Sequence, residues 1–122
     1  MAKRILIADD EPNIVTALVF LLQQDGFEVD VARNGEEALA IAKDREPDLI
    51  LLDVMMPLLG GHEACRRIRE RSGRSVKIVM LSARGGKPEV EKGLGAGADL
   101  YVVKPFSTRE LMQKIQGLLA VA

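Results

Sequence analysis

Four runs of apolar residues punctuate the chain: Ile5-Leu6-Ile7-Ala8, Leu49-Ile50-Leu51-Leu52, Ile78-Val79-Met80-Leu81 and Leu100-Tyr101-Val102-Val103. Each is too short for a helix and carries no polar alternation. A strand with one wet face alternates, whereas an unbroken apolar run suits a strand covered on both faces, as in a parallel sheet sandwiched by helices. A fifth segment, Phe27 to Ala32, alternates apolar with acidic residues and reads as an edge strand.

Helical patterns with recognisable ends fill the intervals. Pro12 suits a first helical position after an acidic cap, Ile14, Leu18 and Leu21 recur at helical spacing, and Gly26 stops the run. Asn34 with Glu37, and Ser107 with Glu110, have capping-box spacing. Two further helices are expected from about His62 to Arg71 and from about Pro88 to Ala96, and the last helix is expected to run to the chain end. Five strands alternating with five helices imply right-handed crossovers and a doubly wound α/β domain. The 122 residues, 48% of them hydrophobic, supply one core and one domain, 1–122.

Charge and composition narrow the function classes. Lys and Arg total 17 and Asp and Glu 18, a net charge of −1, so no global basic field holds a polyanion and nucleic acid is not an expected direct partner. The start of the chain lacks a signal-peptide core, and no apolar run approaches the ~18 residues of a membrane helix, so a cytoplasmic protein is expected. The single cysteine, Cys65, supports neither a disulfide framework nor a zinc site and reads as a small buried helix residue. His62 reads as an exposed residue at a helix start, and Arg66, Arg67, Arg69, Arg71 and Arg74 as a solvated face.

In open α/β sheets ligands bind beyond the carboxyl ends of the strands, where the winding reverses. The first strand ends in Asp9-Asp10, the third in Asp53, the fourth in Ser82 and the fifth in Lys104-Pro105. Three carboxylates in one crevice repel unless a cation relieves them. Oxygen-only ligands in a shallow, wet site select Mg2+. A carboxylate beside such an ion can attack phosphorus, with Lys104 as a point charge and Ser82 as a hydroxyl donor for the transferred oxygens.

Four stretches then carry a resemblance to the CheY-like response-regulator receiver family: Ile7-Ala8-Asp9-Asp10-Glu11, Leu51-Leu52-Asp53-Val54-Met55-Met56-Pro57, Leu81-Ser82-Ala83-Arg84, and Gly97-Ala98-Asp99 through Lys104-Pro105-Phe106. The resemblance covers essentially the whole chain. It implies a flavodoxin-like sheet of order 2-1-3-4-5. Asp9, Asp10, Asp53 and the backbone carbonyl of Met55 would hold Mg2+, and Asp53 would accept the phosphoryl group. Ser82 and Lys104 would bind its oxygens, Ser82 and Tyr101 would switch, and the bond before Pro105 would be cis. It further implies a sensor histidine kinase or histidine phosphotransfer protein as donor, a downstream effector protein or domain, output through the helix 4, strand 5 and helix 5 face, and scope for a phosphorylation-dependent homodimer. Two departures stand out: Leu59-Gly60-Gly61 replaces a common Met-Asp-Gly stretch, and Leu100 stands where a large DNA-binding subfamily often has a second Asp.

Three other function classes compete. A pseudo-receiver would keep the fold as a binding module without accepting phosphate, against which the intact acceptor, acids, hydroxyl and lysine argue. An aspartyl phosphohydrolase of haloacid-dehalogenase type needs an acid two residues after the nucleophile, where Met55 stands. A flavodoxin-like binder needs a phosphate cradle after the first strand, where Asp9-Asp10-Glu11 would repel phosphate.

Overall fold

The structure is a computed structural model and describes residues 2–120. The Leu49 run forms the middle of a five-stranded parallel sheet. The strands are β1 (Arg4–Ala8), β2 (Glu28–Ala32), β3 (Leu49–Asp53), β4 (Lys77–Ser82) and β5 (Leu100–Val103), in the order β2-β1-β3-β4-β5. Five helices connect and follow them: α1 (Pro12–Gln24), α2 (Gly35–Arg45), α3 (Gly61–Ser72), α4 (Lys87–Gly95) and α5 (Thr108–Leu119). This is the flavodoxin-like doubly wound arrangement. The last helix ends at Leu119 with Ala120 as its C-cap, short of the expected chain end; residues 121–122 lie outside those described.

The strand runs are apolar throughout because alternate residues serve two cores. Ile5, Ile7, Leu49, Leu51, Val79 and Leu81 face one side and pack with Leu18 and Leu22 of α1 and Leu111 and Ile115 of α5. Leu6, Ala8, Ile50, Leu52, Ile78 and Met80 face the other, against Ala38 of α2 and Ala64, Cys65 and Ile68 of α3. Each fully buried Leu or Ile contributes roughly 1.5–3 kcal/mol relative to exposure, so register is strongly specified: a one-residue slip would exchange the two cores.

Both expected N-caps form, each as the forward half of its box. Asn34 Oδ1 accepts from the Glu37 amide at 2.8 Å, and Ser107 Oγ from the Glu110 amide at 3.2 Å. Each side chain thereby satisfies an amide that the first helical turn leaves without an intrahelical partner.

The arginine-rich face is only partly solvated, which corrects the sequence expectation. Arg66 and Arg67 lie on the surface and pair with Glu63, but Arg69 turns inward. Its guanidinium donates to the carbonyls of Gly97 (2.8 Å), Gly73 (2.8 Å) and Val76, and to Asp99 Oδ2 at 2.6 Å. A five-donor fork fits this task because it satisfies the loop after α3 and the turn before β5 at once. His62 is likewise half-buried rather than exposed, with a buried Nε2 that has no hydrogen-bond partner. Burial, then the positive charges of Lys92 and Arg66, lower its pKa. Cys65 is buried, and burial pushes its thiol up.

Candidate phosphoryl-acceptor site

The winding reverses between β1 and β3, since the chain leaves β1 for β2 on one side and returns to β3 on the other. The carboxyl ends of these two neighbours therefore open a crevice where no crossover covers them. Asp9 and Asp10 follow β1 and Asp53 ends β3. One carboxylate oxygen from each lies within 4.8 Å of the others. Asp9 is fully buried, Asp53 is 4% exposed, and Asp10 is exposed.

Local backbone bonding aims each acid. The Asp9 amide extends the sheet ladder to the Ala32 carbonyl, and Asp9 Oδ1 accepts from the Glu11 amide at 2.9 Å. Asp53 Oδ1 accepts from the Met55 amide at 3.2 Å. The following loop is pulled tight by Gly61, whose amide donates to the Val54 carbonyl at 2.9 Å. A Cβ at Gly61 would lie 2.5 Å from the Asp53 carbonyl oxygen and 2.7 Å from Val54 Cα, so this approach requires glycine. The departure at Leu59-Gly60-Gly61 thus leaves Asp53 in place while Leu58 takes a left-handed conformation, φ 68°, with its side chain outside.

Lys104 enters from beyond β5, anchored by its amide on the Ser82 carbonyl at 2.7 Å, and the Lys104-Pro105 bond is cis. Its ammonium lies 2.6 Å from Glu11 Oε1, 3.1 Å from Asp9 Oδ2 and 3.6 Å from Asp53 Oδ2. Burial works to lower its pKa, but the bonds from Glu11 and Asp9 and the field of Asp53 outweigh that and raise it, so the charge persists. Burial raises the Asp53 carboxyl most, and Asp9 adds to the rise; Lys104 and the Met55 amide oppose it and Asp10 adds again, leaving a pKa of about 6. One ammonium against four nearby carboxylates leaves the crevice short of positive charge. Asp9 Oδ2 is buried and met by the Lys104 ammonium alone, at 3.1 Å, which leaves it able to serve as a ligand atom.

Ser82 is fully buried at the end of β4, and its Oγ accepts from the Arg84 amide at 3.0 Å. The hydroxyl of Tyr101 donates to the Arg84 carbonyl at 2.7 Å, so one residue's two backbone groups join the serine to the tyrosine. The Tyr101 ring lies against Gly93 of α4, where a Cβ would come within 2.6 Å of it. All the candidate residues therefore gather at one end of the sheet: Asp9, Asp10, Asp53 and Lys104 in direct reach, and Ser82 and Tyr101 linked through Arg84. The Met55 side chain is exposed, and its amide braces Asp53.

Glu11 was not among the expected site residues. It reads from sequence as a helix cap, and it does occupy the position before α1, but its side chain makes no capping bond and reaches Lys104 instead. The available signal was that it directly follows two acids at a strand end.

Comparison with known proteins gives a consistent picture. The family model described as response regulator receiver domain matches residues 5–116. The phosphate regulon transcriptional regulatory protein PhoB of Rhizobium meliloti is 44% identical over 120 residues, covering 98% of this chain and 53% of that protein. The chain spans about half the length of the curated relatives it matches. Among solved structures, the beryllofluoride-activated DrrB receiver domain aligns with a TM-score of 0.91 and 32% identity, covering 99% of this chain and all of that one. The receiver domain of the sensor histidine kinase PA1611 from Pseudomonas aeruginosa, which has a magnesium ion coordinated in its active-site cleft, aligns with a TM-score of 0.89 and 32% identity, covering 99% of this chain and 100% of that one.

Proposed function

Because the chain belongs to the response regulator receiver domain family, we propose that it is a phosphoacceptor switch in two-component signalling, in which Asp53 takes a phosphoryl group. The observation that carries this reading is the convergence of buried Asp53 and Asp9 with Asp10, the Lys104 ammonium lying against Asp9 and Asp53. The donor is a phosphohistidine on a sensor histidine kinase or a histidine phosphotransfer protein. An Asp53 oxygen forms the new bond to phosphorus as the phosphorus–nitrogen bond breaks, and the imidazole nitrogen leaves with the electron pair.

Asp9, Asp10, Asp53 and the Met55 carbonyl would hold Mg2+, which supplies positive charge to the phosphoryl oxygens when bound. The buried Asp9 carboxylate and the excess of carboxylates over the one ammonium fit that ion. Lys104 places a point charge on a second oxygen, and the Ser82 hydroxyl donates to a third after releasing the Arg84 amide. That release loosens the loop whose Arg84 carbonyl holds Tyr101, which couples the site to the α4, β5 and α5 face as the output surface. An apolar cleft of about 230 Å³ beside Lys104, walled by Ile14, Ala17 and Leu18 of α1 and by Pro105 and Phe106, offers the donor a docking surface.

The test is incubation with acetyl phosphate and Mg2+ followed by intact mass spectrometry. Wild type should gain one phosphoryl group and Asp53→Asn none, because an amide cannot form an acyl phosphate. A chain that stays unmodified would be a binding module that keeps the fold alone, and a modified Asp53→Asn would place the acceptor elsewhere.

A further inference from the structure

We propose that Glu11 is a positioning residue that holds Lys104 in the resting state and competes with the incoming phosphoryl group for its ammonium. The inference rests on the phosphoacceptor reading above and concerns how that site is regulated. Among the three carboxylates around Lys104, Glu11 is the nearest at 2.6 Å, and Asp53, the group to be modified, is the farthest at 3.6 Å. The resting ammonium is therefore drawn away from the acceptor. Geometry at the start of α1 shows that this contact is not incidental to capping. Glu11 sits at the N-cap, where an acidic side chain would ordinarily accept from the first helical amides, yet it makes no such bond and turns to a residue 93 positions away.

An ammonium has three donors: Glu11 and Asp9 engage two at rest, and the third faces Asp53 at 3.6 Å, beyond hydrogen-bond reach, so an anionic oxygen added to Asp53 draws the ammonium away from one of the first two. Asp9 is fully buried, so water cannot take the place of Lys104 there. The Glu11 side chain is 55% exposed, so water can replace the lysine there at small cost. Glu11 is the partner that yields, and its charge opposes the phosphorylated state by whatever its pairing with Lys104 is worth.

The experiment measures beryllofluoride affinity at saturating Mg2+ by calorimetry for wild type, Glu11→Gln, Lys104→Met and the double variant. Glu11→Gln keeps size and an acceptor oxygen but removes the charge, and it should bind about 2- to 10-fold more tightly than wild type. In the Lys104→Met background the same substitution should change affinity little. The Lys104 Nζ resonance gives a reading free of ligand: it should shift in ligand-free Glu11→Gln with the backbone amides of β1 and β5 unmoved, and the two proteins should converge once beryllofluoride is bound. Unchanged or weaker binding in Glu11→Gln overturns the competition. An equal gain in both backgrounds also overturns it, since Glu11 would then act as a distant negative charge and not through Lys104. A wild-type protein that takes up no beryllofluoride overturns the phosphoacceptor reading and the competition together, a result distinct from either of the others.

Discussion

Asp99 receives two donors on one carboxylate oxygen, the Arg69 guanidinium at 2.6 Å and the Ile78 amide at 2.8 Å. Through it α3 is tied to the entrance of both β4 and β5, the two strands whose far ends carry Ser82 and Lys104. Because the Arg69 and Asp99 side chains are only 12% and 17% exposed, removing one strands the other in a poor dielectric.

Arg69→Ala is therefore expected to destabilise the fold by about 3 kcal/mol, since three backbone carbonyls lose a donor and Asp99 is left with the Ile78 amide and the exposed Arg74. Arg66→Ala, on the same helix but at the surface, should cost no more than ~0.5 kcal/mol. Urea denaturation of both variants checks the contrast, and equal effects would return Arg69 to the solvated face.

Glycine substitutions should separate site geometry from helix propensity. Gly61→Ala pushes a methyl group into the backbone of Asp53 and Val54 and should cost about 1–3 kcal/mol. Gly117→Ala, in the exposed part of α5 with nothing within 4 Å of the added Cβ, should instead stabilise by about 0.5–1 kcal/mol. Thermal and urea unfolding of both proteins reads the opposite signs.

The Asp53 carboxyl titrates near 6 rather than 3.8, so the folded protein holds this proton more tightly than the unfolded chain. Stability of the metal-free protein should then fall as pH rises through the window between those values, and the full penalty should be present at neutral pH. Asp53→Asn should be more stable than metal-free wild type at neutral pH by about 1–3 kcal/mol, with the advantage vanishing below pH ~4. Saturating Mg2+ should shrink the difference. Urea unfolding of the pair across pH tests this, and a less stable Asp53→Asn at neutral pH would contradict it.

The sheet and most of the site were legible because their signals are local. Unbroken apolar runs such as Leu49 to Leu52 suit a parallel sheet covered on both faces, and the topology then carries the polar residue at each strand end to one edge. That is why Asp9, Asp53, Ser82 and Lys104 group together in the sequence pattern itself. The exposure of Arg69 and His62 is not legible locally because the rotation of α3 about its axis is set by packing against α2 and β3 and by the turn at Gly97, not by the charge pattern of the helix. Glu11 was read as a cap because its partner lies 93 residues away, and nothing local records that pairing.

The account stands on Asp53 becoming an acyl phosphate, and borohydride trapping tests that most directly. Reductive cleavage of an aspartyl phosphate leaves homoserine at the modified position, which peptide mass mapping identifies. After acetyl phosphate and Mg2+, the peptide containing Asp53 should carry homoserine at position 53, and omission of Mg2+ or of the phosphodonor should abolish it. Homoserine at another acid, or a phosphoryl group that survives borohydride on a hydroxyl or the His62 imidazole, would contradict the account.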